Sequence, residues 1–358
     1  MKKNAVLTLL LAFSSFAFLN GQSDPLNQFY KPRELTRIEQ SLTTFGKSTL
    51  EKERAELSQR KITYKLEPNV TLNIPIEQLA GAKAEERDNT SDLKQMYSNM
   101  TPTIEEARRE FAAKQLNWNP YYLIDFSTID WTKILMGAQT CYFNTGFLTP
   151  VKDQRSCGSC WAFAAAATWE HSYRKQINTA AIHDVSEEEL VNCGKNCGGT
   201  DAGSCSGGWS DMALDHIKCY RVAREAAYPY TATNAACRSV TKSYGAYGWA
   251  QIGTNAAPPS NEMVKAALAT YGALVTYVYV KNWGSYGTGV MDAYPNNDPA
   301  IGSWVNHAVT IVGYCDDRQA WIIKNSWGTS WGSYGGYAYI KYNHYNINKR
   351  VYGVCPRP

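Results

Sequence analysis

The stretch Gln154-Arg155-Ser156-Cys157-Gly158-Ser159-Cys160-Trp161-Ala162-Phe163 carries more information than any other part of this sequence. It leads into the alanine run 164–167, whose propensity predicts a helix over 160–177. Cys160 then stands in the first turn, where unpaired N–H groups present partial positive charge and favour a thiolate. Only the thiolate attacks a carbonyl carbon well. Taken alone, the Cys-x-x-Cys spacing also supports a redox pair, half of a zinc site, or two structural cysteines.

Three residues outside the motif narrow the choice. Gln154 can aim an amide N–H at an oxyanion lying beside the Cys160 backbone N–H. His307 heads an apolar run in Asn306-His307-Ala308-Val309, and Asn325 sits in Lys324-Asn325-Ser326-Trp327-Gly328. A thiol, an imidazole and an amide that orients the imidazole form a recurring nucleophile arrangement. At this point the sequence resembles the papain and cathepsin family, whose signature C-G-[SA]-C-[WY] is matched by residues 157–161. His307 and Asn325 lie roughly 150 residues or a little more beyond Cys160, near the family's spacing. The resemblance covers roughly residues 125–355.

The resemblance implies Cys160 as nucleophile, His307 as general base and then acid, Asn325 as the group orienting His307, and Gln154 as oxyanion donor. It implies that Trp327 shields the Asn–His hydrogen bond from water. Gly207 and Gly208 resemble the segment that pairs with substrate as an added strand, and Trp331 a residue bordering the leaving-group side. The pocket for the second residue before the cut would be lined by Trp209, Tyr277, Val305 and Ala308. An apolar pocket of that kind should prefer Val, Leu or aromatic residues over Arg, because an unpaired buried charge is costly. Cys157 would pair with Cys205, and Cys193 with Cys237. Pairing among Cys141, Cys197, Cys219, Cys315 and Cys355 stays open. The family fold is α+β with two domains, a helical one and a β-barrel-like one, and the active-site cleft between them. No cofactor and no metal are implied. The other histidines, His171, His183, His216 and His344, read as structural or surface residues.

The bulk properties suit that reading. A length of 358 residues, 44% hydrophobic and 19% charged, describes an ordinary globular protein. The mild net charge of +4 is not clustered, which sets nucleic acid aside as a partner. Lys2 and Lys3 precede an apolar run over 6–19 that is short for a membrane span, so residues 1–21 read as a signal peptide, with an uncleaved anchor as the alternative. Export to the exterior, a periplasm or a lysosome-like compartment is expected, with no membrane association after cleavage. All ten cysteines lie beyond residue 140, which places disulfides in the C-terminal part only.

Residues 22–124 are charged and free of cysteine, and they occupy the place of the family's inhibitory propeptide; residues 125–358 form the peptidase domain. The spaced apolar residues Leu35, Ile38, Leu42 and Phe45 predict one helix over 33–60. A second helix is expected over 103–116, and an extended stretch over 63–76. The usual propeptide helix motif does not fit here, so a retained accessory domain is the alternative. Asn69, Asn89 and Asn99 stand in glycosylation triplets. Helices are expected over 210–217 and 260–271, then strands over 274–280, 307–314, 320–324 and 336–342. The chain so read is a monomeric, secreted cysteine endopeptidase made as a zymogen. It would cut protein or peptide substrates internally and be held by its own propeptide. Thiol–disulfide exchange through Cys157 and Cys160, a binding role on a peptidase scaffold, and transpeptidation are the competing functions.

Overall fold

An alanine-rich segment becomes a central helix when its small side chains let neighbours approach closely, and residues 160–176 do so here. The computed structural model describes residues 24–83, 141–143, 145–254 and 257–357. The expected signal peptide, the helix over 103–116, Asn89, Asn99 and the boundary at 125 lie outside the described residues. Among the described residues no helix is long and apolar enough to cross a membrane.

The N-terminal segment folds as α1 (Leu35–Ser41), α2 (Thr44–Ser58) and the single turn α3 (Ile76–Leu79). The one helix expected over 33–60 is thus two. Leu42 turns to extended backbone, and Thr43 caps α2 by accepting from Gly46 N–H at 3.1 Å. Asn73 fixes the break, since its Oδ1 accepts both Thr43 N–H at 2.8 Å and the Thr43 hydroxyl at 3.0 Å. Leu42, Leu50 and Leu72 form a small core there, while Phe45, placed by spacing on the apolar face, is half exposed. The stretch expected to be extended holds a 3-10 turn over Val70–Asn73.

After the short strand β1 (Cys141–Phe143) comes α4 (Cys160–Gln176), buried along nearly its whole length. Then follow α5 (Glu187–Cys193), the paired stubs β2 (Gly203–Ser204) and β3 (Gly207–Gly208), and α6 (Ser210–Cys219). Next come β4 (Gly245–Ile252) and α7 (Asn261–Tyr271), the latter capped by the Ser260 hydroxyl. The remaining elements are strands: β5 (Leu274–Val278), β6 (Val290–Met291), β7 (His307–Cys315), β8 (Ala320–Lys324), β9 (Tyr337–Lys341) and β10 (Val351–Arg357).

These strands make one sheet in the order β4-β10-β5-β7-β8-β9-β6, antiparallel except for β6 beside β9. β1 pairs with the far end of β7. The path is open, so the expected β-barrel-like domain is a sheet without a closing pair among the described residues. The sheet divides two cores because strand side chains alternate faces. Val275 and Tyr277 of β5, Ala308 of β7, and Tyr352 and Val354 of β10 face α4 with Trp161, Trp169 and Met212. Leu274 and Val278, Val309 and Ile311, and Val351 and Cys355 face the other core, with Trp283, Trp321, Trp327 and Trp331.

Disulfides join Cys157 to Cys205, Cys193 to Cys237, Cys197 to Cys219 and Cys141 to Cys315. Cys141 stands opposite Cys315 in the β1–β7 register, which explains that pair. Cys160 and Cys355 are free and buried.

Candidate active site

Cys160 is the first residue of α4 and His307 the first residue of β7, so a helix start and a strand start meet at the seam between the two cores. The Ala308 backbone, next to His307, lies close enough to the Cys160 thiol to favour its ionised form. His307 Nε2–H donates to Asn325 Oδ1 at 2.9 Å, which leaves Nδ1 without a partner. The Trp327 ring lies 5.0 Å from the imidazole and Trp283 packs edge-on at 6.0 Å, closing that hydrogen bond off from water. Gln154 is fully buried, with its Oε1 accepting from the Ser326 hydroxyl at 2.6 Å and its Nε2 donating to Cys157 O at 2.8 Å. Sequence reasoning passed over Trp283 and Ser326. Ser326 directly follows Asn325, while Trp283 had only the flanking turn residues Asn282 and Gly284 as a signal.

A buried ion cluster braces this seam from behind. Lys152 contacts Glu170 of α4 at 3.0 Å, Glu187 of α5 at 2.7 Å and Asp184 at 2.6 Å. Lys324, next to Asn325, donates to Thr149 at 2.9 Å, and Thr149 donates to Glu170 at 2.7 Å. Lys152 and Lys324 each lie within two residues of Gln154 or Asn325, so the cluster fixes the backbone that carries both amides.

The N-terminal segment lies across the site. Leu79 O accepts from Gln154 Nε2 at 3.1 Å, and Gly81 N–H donates to Cys160 Sγ at 3.3 Å. Gly81 must lack a side chain, because a Cβ there would strike the Gly158 backbone. Gly208 N–H donates to Gly81 O at 2.8 Å and Lys83 N–H to Gly208 O at 2.9 Å, while Ala82 N–H donates to Asn306 O at 2.9 Å on the opposite wall. Gly207 has φ +109°, a left-handed conformation suited to glycine, with Gly81 O packed against the face where a side chain would stand. The Lys83 ammonium sits 4.8 Å over the half-buried Trp209 ring. Tyr277, Val305 and Ala308 belong to the same buried cluster as Ala82, and Trp331 is fully buried with its Nε1–H donating to Trp283 O at 2.9 Å.

Upstream, the segment is anchored to the sheet domain. Asn69, in one of the glycosylation triplets, is fully buried: Nδ2 donates to Gly284 O at 2.7 Å and Tyr286 O at 2.8 Å, and Oδ1 accepts from Gly332 N–H at 3.0 Å. Arg60 pairs with Asp298 at 3.0 Å, and the Glu53 carboxyl accepts from Ser285 N–H at 2.7 Å.

Burial acts on the ionisation of both groups. Burial pushes the Cys160 thiol up to about 11 and the His307 imidazole down to about 4, which favours the neutral form of each. Opened to water, with Cys160 at a helix N-terminus and an imidazole alongside, the same groups can share a proton as thiolate and imidazolium. Cys157 is locked to Cys205, which leaves no free dithiol beside Cys160. Among the described residues no group of three or more His, Cys, Asp or Glu side chains could hold a metal ion. His216, on α6, accepts from Lys195 N–H and pairs with Glu189 of α5, and His171 packs edge-on to Phe147.

Residues 135–355 match the family described as papain family cysteine protease. The chain is 35% identical over 201 residues to digestive cysteine proteinase 2 of Homarus americanus, covering 55% of this chain and 58% of that protein. It therefore spans less than two thirds of that relative's length. Bromelain from Ananas comosus, solved in complex with the E64 inhibitor, superposes with a TM-score of 0.52 at 28% identity, over 61% of this chain and 99% of that one. Procathepsin L2 from the larval midgut of Tenebrio molitor superposes with a TM-score of 0.62 at 23% identity, over 92% of this chain and 96% of that one, a likeness of fold that extends into the N-terminal segment.

Proposed function

The chain belongs to the papain family of cysteine proteases, and on that premise we propose that it is a secreted cysteine endopeptidase made as a zymogen. Cys160 thiolate attacks the scissile carbonyl, and the resulting oxyanion is held by the Gln154 amide and the Cys160 backbone N–H. His307, held by Asn325, gives its proton to the leaving amine and leaves a thioester on Cys160. It then takes a proton from water, which attacks the thioester and releases the acid.

One observation supports the zymogen reading: the segment 79–83 lies against the residues that this reading assigns to substrate. It covers the oxyanion donor with Leu79 O, the sulfur with Gly81 N–H and the Gly208 edge with its backbone. In this reading residues 22–124 are the inhibitory propeptide, released by a cut near Asp125, and residues 125–358 act as a monomer on protein or peptide substrates. The pocket formed by Trp209, Tyr277, Val305 and Ala308 is apolar, which favours uncharged side chains before the cut.

Mass spectrometry of the protein before and after maturation, with and without a thiol-reactive epoxide, tests both parts. The expected result is a new N-terminus near residue 125 and one label on Cys160. A label on another residue, or full activity from an unlabelled Cys160→Ser chain, overturns the assignment.

A further inference from the structure

The residues ahead of α1 are bound to the sheet domain by contacts that covering the cleft does not require. Pro25–Phe29 forms a single 3-10 turn, its start fixed by the proline ring and by Asp24 Oδ1, which accepts from Leu26 N–H at 3.0 Å. The same carboxylate accepts the Tyr339 hydroxyl at 2.6 Å and Arg318 Nη2 at 2.8 Å. The Arg318 guanidinium in turn lies 5.0 Å over the Tyr339 ring. Leu26 is fully buried in the core of the sheet domain. Phe29 packs on Tyr337 with ring centroids 4.7 Å apart and on Phe143 at 5.9 Å. Lys31 N–H donates to Ser333 O at 2.9 Å. The segment 79–83, by contrast, meets Gln154, Cys160, Gly208 and Asn306.

The receiving surface is built by the sheet domain itself. Tyr337 and Tyr339 stand on β9, and Arg318 ends the turn that follows β7. Phe143 stands on β1, which the Cys141–Cys315 bridge ties to β7. We infer that these residues form a second peptide-binding site, separate from the cleft and kept by the mature enzyme. Its ligand is a peptide of the pattern Asp-x-Leu-x-x-Phe, and its occupant is the chain's own segment 24–31 after the connecting stretch is cut. The inference rests on reading residues 22–124 as a released propeptide. Emptying the site would put water against the core that Leu26 completes and would take the Asp24 carboxylate from Arg318 and Tyr339. A peptide that restores both contacts is therefore favoured. The turn is already ordered by Pro25 and its own cap, which lowers the cost of binding. A peptide seated here leaves the cleft to substrate, so a retained segment and an active enzyme are compatible.

The test uses enzyme matured from the full-length precursor and an acetylated peptide of residues 24–33 with a fluorophore at its C-terminus. Fluorescence anisotropy should show saturable binding, equally to enzyme whose Cys160 carries the thiol-reactive epoxide and to unlabelled enzyme. Turnover of a short end-blocked substrate should not slow as the site fills. Leu26→Ala in the peptide should weaken binding about tenfold or more. Arg318→Gln in the enzyme should weaken binding of the natural peptide and have little effect on a peptide already carrying Asp24→Asn. Absence of binding up to roughly 1 mM peptide overturns the inference. So does binding that the epoxide abolishes, or that slows turnover, since the peptide would then sit in the cleft. If the precursor is not cut near residue 125 and Cys160 takes no label, the proposed function itself fails and the inference falls with it. Labelled, matured enzyme that ignores the peptide removes only the second site.

Discussion

Replacing Asn69 with alanine should unlatch the N-terminal segment from the cleft without harming the released enzyme. The side chain is fully buried and satisfies the carbonyls of Gly284 and Tyr286 and the N–H of Gly332. Asn69→Ala strands three buried backbone groups at once. Each unsatisfied group costs ~1–3 kcal/mol; taking the low end, because water can follow into the vacated space, gives about 3 kcal/mol. That is a factor of roughly 150 in the fraction of precursor with an open cleft. The rate at which a thiol-reactive epoxide labels Cys160 in freshly made precursor reads that fraction directly. Labelling should accelerate about a hundredfold over wild type, while kcat/KM of the matured enzyme stays unchanged because residue 69 has departed. A labelling rate within threefold of wild type would refute the reasoning, since it would mean these hydrogen bonds do not hold the segment down.

The pH response of the latch follows from Glu53, whose burial raises its pKa from 4.5 to about 7. The docked state favours the protonated carboxyl, so this contribution is full below about pH 4.5 and is lost as the pH rises through about 7. The ratio of Cys160 labelling in wild type to that in Glu53→Gln should therefore climb between pH 5 and 7.5, and a flat ratio would sink the argument. Asp298 works the other way. Its hydrogen bond with Arg60 holds it below its ordinary 3.8, and that contribution is lost as the pH falls. Lys152→Met leaves Glu170 and Glu187 buried without their shared cation, at ~3–5 kcal/mol. In a Cys160→Ser background its melting temperature should drop by roughly 10 °C, and a drop under 3 °C would contradict it. Cys160→Ser should fold, fail to mature and cut nothing, whereas Cys157→Ser should lose about 2–5 kcal/mol of stability with its bridge to Cys205. Equal unfolding midpoints for the two variants would count against that contrast.

The elements that carry Cys160 and His307 were legible in the sequence because their signals are local. Cys160 begins an alanine-rich helix and His307 begins an apolar strand, and each of those elements forms where propensity puts it. What stayed hidden depends on partners far along the chain. The break at Thr43 is set by Asn73, and α1 buries none of its own side chains. The Cys141–Cys315 pairing needs the β1–β7 register, which the three residues of β1 cannot announce. The Asn69 triplet reads as a surface feature until its buried partners are known.

No cysteine precedes residue 141, so no disulfide can tie the segment over residues 24–83 to the rest of the molecule. Until the chain is cut, the clamp and the cleft share one main chain, and a clamp that lifts meets the same cleft again at a high effective concentration. One cut in the connecting stretch makes the encounter bimolecular. Rebinding then depends on how dilute the two pieces are, although no contact between them has changed. Activation on the proposed scheme is therefore governed by dilution as much as by affinity. Crowded, freshly cut enzyme would stay restrained, and the same enzyme dispersed into a larger volume would be released.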